Sequence, residues 1–227
     1  MAVAGAGEVF VSDIFNEVDE ELRREQLKKI WERYGVLIIA LAVLFVVAVG
    51  GWRGYQWWEA KKAAEAGAAF DAAALLNEQG NRQEAAAAFG KIATDGTSSY
   101  RALAKLREAA TLAHGDPAAA VAIYDAVAAD GALDQTQRDL AAVRAGYILV
   151  DTVSYDEIKN RLEPLTATGR PFRHSARALL ALAAWRDLKT TEMRRWVDMV
   201  LADSETPSNT RSQVEMLIAL TGGDGKS

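Results

Sequence analysis

"EAAAAF" (Glu84–Phe89) and "AAVAIY" (Ala119–Tyr124) carry one pattern twice, about 35 residues apart: small residues, then a large aromatic four positions after an alanine. Asp-Gly follows each copy, at Asp95-Gly96 and Asp130-Gly131, and breaks the helix. Turn signals continue at Thr168-Gly169 and Asp203-Ser204, a recurrence of roughly 35 to 38 residues. A second set falls between them, at Gly80-Asn81, Gly115-Asp116, Val153-Ser154 and a break over Asp187–Lys189. Each period therefore holds two helical stretches and two turns. Leu162 and Trp196 take the large-residue place in the later periods. A small residue lets a partner helix pack close, and a large one fills the gap between neighbouring pairs. No pair buries its apolar stripe alone, so several must stack.

A helix pair every 34 residues or so is the tetratricopeptide repeat pattern. Four units are expected, at Ala66–Asp95, Ser99–Asp130, Thr136–Thr168 and Phe172–Asp203. In "AAVRAGYILV" of the third unit, Gly146 fits the close-packing position. A last helix from Ser208 through Ala219 caps the stack, and "GGDGKS" after it reads as a frayed tail. The expected fold class is all-α: one N-terminal transmembrane helix, then a TPR-like α-solenoid of about four helix pairs with a C-terminal capping helix.

Composition agrees. Long Ala-rich runs with only four Pro in 227 residues favour helix. The absence of cysteine removes any disulfide framework and any thiolate metal site. A net charge of −5 with both signs interspersed argues against nucleic acid as a partner. Mean hydropathy is −0.05, that of a soluble protein, so one segment carries the extreme hydrophobicity.

That segment is uncharged from Val36 to Gly51. Tyr34 to Trp52 is about 19 residues, roughly 28 Å as a helix, close to the hydrocarbon thickness of about 30 Å. Trp31 and Tyr34 precede it and Trp52, Tyr55, Trp57 and Trp58 follow, the interfacial belt of a spanning helix. A buried core helix has no use for such flanks. A cleaved signal peptide opens with a short basic region, whereas the leader here is more than about 30 residues long and rich in Glu and Asp. Arg23, Arg24, Lys28, Lys29 and Arg33 lie upstream against Arg53, Lys61 and Lys62 downstream, which places the N-terminus in the cytoplasm. Gly50 and Gly54 have the spacing that dimerises membrane helices, which admits a homo-oligomer. No Pro separates Trp52 from Asp71, so the membrane helix is expected to run into the first repeat, with Gly51, Gly54 and Gly67 as hinge points. The expected division is a cytoplasmic leader helix over 1–33, a transmembrane helix over 34–53, a periplasmic repeat domain over 54–221 and a tail over 222–227.

In the leader, Ser12-Asp13 can cap a helix beginning near Ile14. Phe15, Val18 and Leu22 recur on one face, opposite the acid-before-base pairs Asp19–Arg23, Glu20–Arg24 and Glu25–Lys29. That face reads either as a solvated helix on the inner leaflet or as a docking stripe for a partner.

Nothing in the chain asks for catalysis or a cofactor. His114 and His174 are the only histidines, and neither has a second ligand at metal spacing. "GGDGKS" has Leu220 where a phosphate loop begins with Gly, and no helix follows it. What remains is surface. The first helices of the pairs carry Arg101, Lys105 and Arg107, then Arg138 and Arg144, then Arg173, Arg177 and Arg186. Arg101/Lys105 and Arg173/Arg177 are i,i+4 pairs and share a face. The bland reading is a solvated face. The sharper one is a basic groove receiving carboxylates of a partner segment, with Arg101, Lys105, Arg138, Arg144, Arg173 and Arg177 as its residues.

The leader "IFNEVDEELRREQLKKIWERYG", one membrane helix and a divergent TPR domain together resemble the ancillary SecYEG translocon subunit family, of the YfgM type. The resemblance covers nearly the whole chain. It implies attachment to the bacterial inner membrane and association with Sec translocon subunits. It also implies cooperation with a periplasmic chaperone or peptidyl-prolyl isomerase on emerging secretory proteins. It supplies no catalytic residues. The alternative is a scaffold that coordinates an envelope, cell-division or peptidoglycan complex.

Overall fold

The fold is described from a computed structural model. It covers residues 8–223, with side chains for 28, 29, 31–98 and 100–221. The residues after 223, most of the expected tail, lie outside it. The chain divides into two units, Met1–Ala60 and Lys61–Ser227.

The first helix, α1, spans Glu8–Glu78. It begins upstream of Ser12 and Asp13, so the cap expected there is corrected: both residues are internal to the helix. α1 runs on through Gly51, Gly54 and Gly67 into the first repeat without a break. Among the described side chains of the first unit, the large apolar ones are exposed. Val36 is 87% exposed, Phe45 70% and Trp52 64%. One helix is thus long and apolar enough to cross a membrane.

In the second unit the end of α1 is followed by α2 (Arg82–Asp95), α3 (Ser98–Leu112), α4 (Pro117–Ala129), α5 (Gln135–Leu149) and α6 (Tyr155–Leu162). Then come α7 (Arg173–Arg186), α8 (Thr190–Ala202) and α9 (Ser208–Gly223). No strand occurs among the described residues. Every expected turn lies between two helices. Asp116, with Pro117 behind it, caps α4 through Ala119 N–H at 3.0 Å, and Asp134 caps α5 through Gln137 N–H at 2.9 Å. Pro164 cannot continue α6, which closes in a 3₁₀ turn over Glu163–Leu165. The expected capping helix is longer than its reading to Ala219 and packs on α7 and α8.

Consecutive helices from α2 to α8 pack on one another, as a solenoid requires. The large residues of the four periods, Phe89, Tyr124, Leu162 and Trp196, are all buried. Ala85 and Ala120, four positions earlier, are buried with them, while the later periods carry Ile158 and Glu192 there. A Cβ on Gly146 would sit 2.9 Å from Leu162 Cδ1, so glycine is what lets α5 approach α6. Gly67 likewise abuts Tyr100 Oη, which gives it a packing role.

Candidate partner-binding surfaces of the repeat stack

Bonds between residues one repeat apart hold the stack in register. Arg161 of α6 meets Asp125 of α4 at 2.6 Å, and Arg170 meets buried Asp139 of α5 at 2.8 Å. Arg186 donates to the carbonyls of Val150 and Val153 past the end of α5. Its neighbour Asp187 accepts from Tyr155 N–H at 2.7 Å, and that bond, with Arg186, holds its carboxyl below the usual range. Tyr155 Oη donates to Glu192 at 2.8 Å and accepts from Trp196 Nε1 at 2.9 Å. Burial pushes the Tyr155 phenol up to about 12.

The expected basic groove must be corrected at four of its six members, two of which turn inward. Arg173 and Arg177 are buried, at 8% and 5% exposure, and face their own chain. Arg177 donates from Nε and Nη2 to the Thr166 carbonyl and from Nη1 to Asp203 Oδ2 at 2.9 Å. Arg173 donates from Nε to the same Asp203 oxygen at 2.9 Å and from Nη2 to Glu205. Arg173 is the main reason the Asp203 carboxyl titrates far below the ordinary carboxylate range. The i,i+4 spacing does put the two arginines on one face, but that face is turned toward α8 and the α8–α9 loop. Spacing fixes a face and leaves open whether that face is wet.

His174 completes this cluster. Its Nδ1 lies 3.0 Å from Thr206 Oγ1, whose single proton goes to the Val200 carbonyl at 2.7 Å. The ring must therefore be the donor, with the proton on Nδ1. Burial first, then the Arg173 charge, lowers the His174 pKa. Ligand atoms of His174, Asp203 and Glu205 lie within 4.8 Å of one another. Two guanidiniums already hold the carboxylates, so a cation bound there must displace buried arginines.

Arg101 and Lys105 line a groove of about 660 Å³ with Ser98, Asp130, Asp134 and Gln137. Lys105 Nζ stands 3.9 Å from Asp130, and the Arg101 guanidinium forms no ion pair among the described residues. Arg138, expected in the same groove, folds back on Gln135 at 3.0 Å. Arg144 is exposed on α5 and, with Arg107, faces Tyr124 from outside that groove. Glu108 lies against Gly90 at the far side of Lys105, its carboxyl held above the usual range by burial. His114 lies in the turn after α3. The side chains of Phe15, Val18 and Leu22 lie outside the described residues.

The sequence reading missed a second groove, of about 400 Å³, between α5, α7 and α9. Tyr147 and Val150 form one side, Ala178, Leu179 and Leu182 the floor, and Met216 and Leu217 the other side. Asn209, Ser212 and Gln213 complete the α9 wall. Tyr147 and Met216 are open to solvent, at 52% and 65% exposure. Its signal was in the sequence: Tyr147 directly follows the close-packing Gly146 and so falls outside the buried stripe.

A profile of the tetratricopeptide repeat-like domain family matches residues 28–177, from ahead of the apolar segment into α7. Comparison with curated proteins and with solved structures gives no significant match. Covering well over half of the sequence, and agreeing with the stacked helix pairs, the profile match shows that the chain belongs to the tetratricopeptide repeat-like domain family, whose domains typically serve as protein–protein interaction modules.

Proposed function

We propose that the chain is a single-pass inner-membrane protein that holds a protein-binding stack on the periplasmic side, as an accessory of the Sec translocon. In this reading 1–33 is cytoplasmic, 34–53 spans the membrane, 54–221 is the periplasmic binding domain and 222–227 its tail. The partners are Sec subunits and a periplasmic chaperone or peptidyl-prolyl isomerase that acts on emerging chains. The observation that carries it is the bare, continuous apolar stretch of α1, Val36 through Val49, in a chain whose repeat domain exposes large apolar residues only singly or at groove rims. Exposed apolar surface on that scale calls for lipid or a partner. Trp31 and Tyr34 before it and Trp52, Tyr55, Trp57 and Trp58 after it suit the two interfaces. The open cation of Arg101, with Lys105 beside it, is the position proposed for a carboxylate of a bound partner.

Two experiments test this. The chain lacks cysteine, so Ser12→Cys and Ser204→Cys each give one labelling site. In intact inner-membrane preparations an impermeant maleimide should reach position 204 from the periplasmic side and position 12 only after lysis. The reverse pattern overturns the topology. Pull-down of the tagged protein in a gentle detergent, with mass spectrometry, should recover Sec subunits with a periplasmic chaperone. Recovery of division or cell-wall proteins in their place moves the protein to the scaffold reading.

A further inference from the structure

We infer that the groove between α5, α7 and α9 binds an extended, uncharged, apolar segment of another polypeptide, an assignment that rests on reading the stack as a protein-binding module. The first reason is charge complementarity. None of the residues lining the groove is charged. The arginines of α7 and α9, two of its three walls, are already engaged elsewhere. Arg173 and Arg177 hold Asp203, and Arg186 holds the carbonyls of Val150 and Val153. Arg211 of α9 donates to the Leu201 and Asp203 carbonyls at 2.9 and 3.2 Å. A ligand carboxylate or ammonium buried here would meet no counter-charge, and an unpaired buried charge is strongly disfavoured. The groove selects against charge as firmly as it selects for apolar surface.

The second reason is the division of its walls. Val150, Ala178, Leu182 and Leu217 offer apolar contact, and about 400 Å³ suffices for side chains of a short segment. Asn209, Ser212 and Gln213 stand along the α9 wall, and their side chains make no hydrogen bond among the described residues. Free amides and a hydroxyl beside an apolar floor match a ligand whose backbone donors and acceptors are unpaired. An extended segment has such a backbone, whereas a helix has already satisfied its own. The open rim residues extend the argument to breadth of sequence. Tyr147 gives a rigid amphipathic face, and Met216 a flexible, polarizable one that refits to different side chains. The groove reads apolar character and extension and leaves the exact sequence free.

The test uses the full chain in lipid nanodiscs and fluorescence anisotropy with two labelled decamers. One decamer contains only Leu, Phe, Ser and Asn; in the other, two central residues are Asp. The neutral decamer should bind saturably and the acidic one at least about tenfold more weakly. Met216→Glu, at a position open to solvent, should weaken the neutral decamer by about tenfold or more, and Tyr147→Ala by a smaller factor. Arg194→Glu, exposed on α8 and outside both grooves, should leave it unchanged. Equal binding of the neutral decamer to wild type and to both groove variants overturns the assignment, as does tighter binding of the acidic decamer or no saturable binding. A photo-crosslinker at position 147 should capture the decamer. Capture of only phospholipid, or of only a second copy of this chain, overturns the occupant. Decamer binding without translocon subunits in the pull-down sinks the proposed location alone. Translocon recovery without decamer binding sinks the groove alone.

Discussion

The two ends of the repeat stack solve the same packing problem with different materials. Around α2 to α5 the buried cores are built mainly of alanine: Ala73, Ala85 and Ala104 around Phe89, then Ala109, Ala141 and Ala145 around Tyr124. Around α5 to α9 the core holds Tyr155, Ile158, Leu162, Leu180, Met193 and Trp196 in one cluster. Charge follows the same division. Arg101, Arg107 and Arg144 of the first part point to solvent, whereas Arg173 and Arg177 of the last part turn inward. Alanine packing brings backbones close with little side-chain entropy to lose, and it leaves no volume in which to hide a cation. Large side chains separate the helices, and ion pairs fill part of the space. Inward arginines leave a neutral groove; outward ones leave a polar groove.

The comparison is broken most severely by removing volume where volume does the packing. Trp196→Ala should cost about 3–5 kcal/mol, because it leaves a cavity and strips the Tyr155 hydroxyl of its donor. Ile92→Val in the alanine-rich part should cost only about 1 kcal/mol. Urea or thermal unfolding of the two variants measures the contrast, and equal losses would mean that the two cores are alike. Asp203→Ala should rank next, since it leaves Arg173 and Arg177 buried without their shared acceptor.

Acid probes the same cluster without mutation. The His174 pKa is lowered in the folded chain, so the unfolded chain takes up a proton first as pH falls. The stability this neutral ring supports is present above the unfolded value of 6.5 and is lost as pH drops through the folded one. The Asp203 carboxyl, also lowered, contributes above 3.8 and is lost at still lower pH. Thermal midpoints should therefore fall as pH drops below about 6.5. His174→Gln should flatten that first decline and keep the second. An unchanged profile in that variant would remove His174 from the cluster's energetics.

Gly146→Ala comes next. A Cβ 2.9 Å from Leu162 Cδ1 and 3.4 Å from Leu179 Cδ1 overpacks a filled core, at a cost of about 1–2 kcal/mol after the helix-propensity gain. Gly115→Ala, with nothing within 4 Å, should stay within about 0.5 kcal/mol.

A smaller effect has the opposite sign. After α1, Gly80 (φ 86°) lies at a helix stop where Gly80 N–H bonds the Asn77 carbonyl and Asn81 N–H bonds that of Leu76. After α7, Leu188 (φ 59°) makes the same pair of bonds, to Trp185 and, through Lys189, to Ala184. Both are Schellman stops, one with glycine and one with a leucine forced into the left-handed region. Leu188 is 88% exposed, so its side chain packs on little. Leu188→Gly should stabilise by about 1 kcal/mol, and Gly80→Leu should destabilise by a similar amount.

That pair shows what was legible in the sequence. Gly80 announces its turn, while Leu188 carries no turn signal and was found only by the spacing of its neighbours. The periodic residues Phe89, Tyr124, Leu162 and Trp196 fixed the helix pairs because burial in a stack imposes the period. The partners of Arg173 and Arg177 were not legible. Asp203 and Glu205 lie about 30 residues away, and only the antiparallel return of α8 along α7 brings them back to the start of α7. The apolar groove escaped notice because it lies between helices of two different periods and the capping helix.

Arg101 should show the smallest effect on stability and is the sharpest test of the division between the two ends. It is exposed, forms no ion pair among the described residues and lies on a helix that packs by alanine. Removing it leaves no cavity and no stranded charge, so Arg101→Ala should change unfolding free energy by no more than about 0.5 kcal/mol. The inward arginine gives the opposite expectation: Arg177→Ala removes one of the two guanidiniums on Asp203, strands the Thr166 carbonyl and should lower the midpoint well beyond that. A solvent-facing arginine kept for binding can be lost without unfolding the protein, so Arg101→Ala should keep its melting curve and lose acidic partner segments. If instead it melts early, Arg101 has an internal partner after all, and the polar groove then holds the fold together just as the arginine cluster does at the other end.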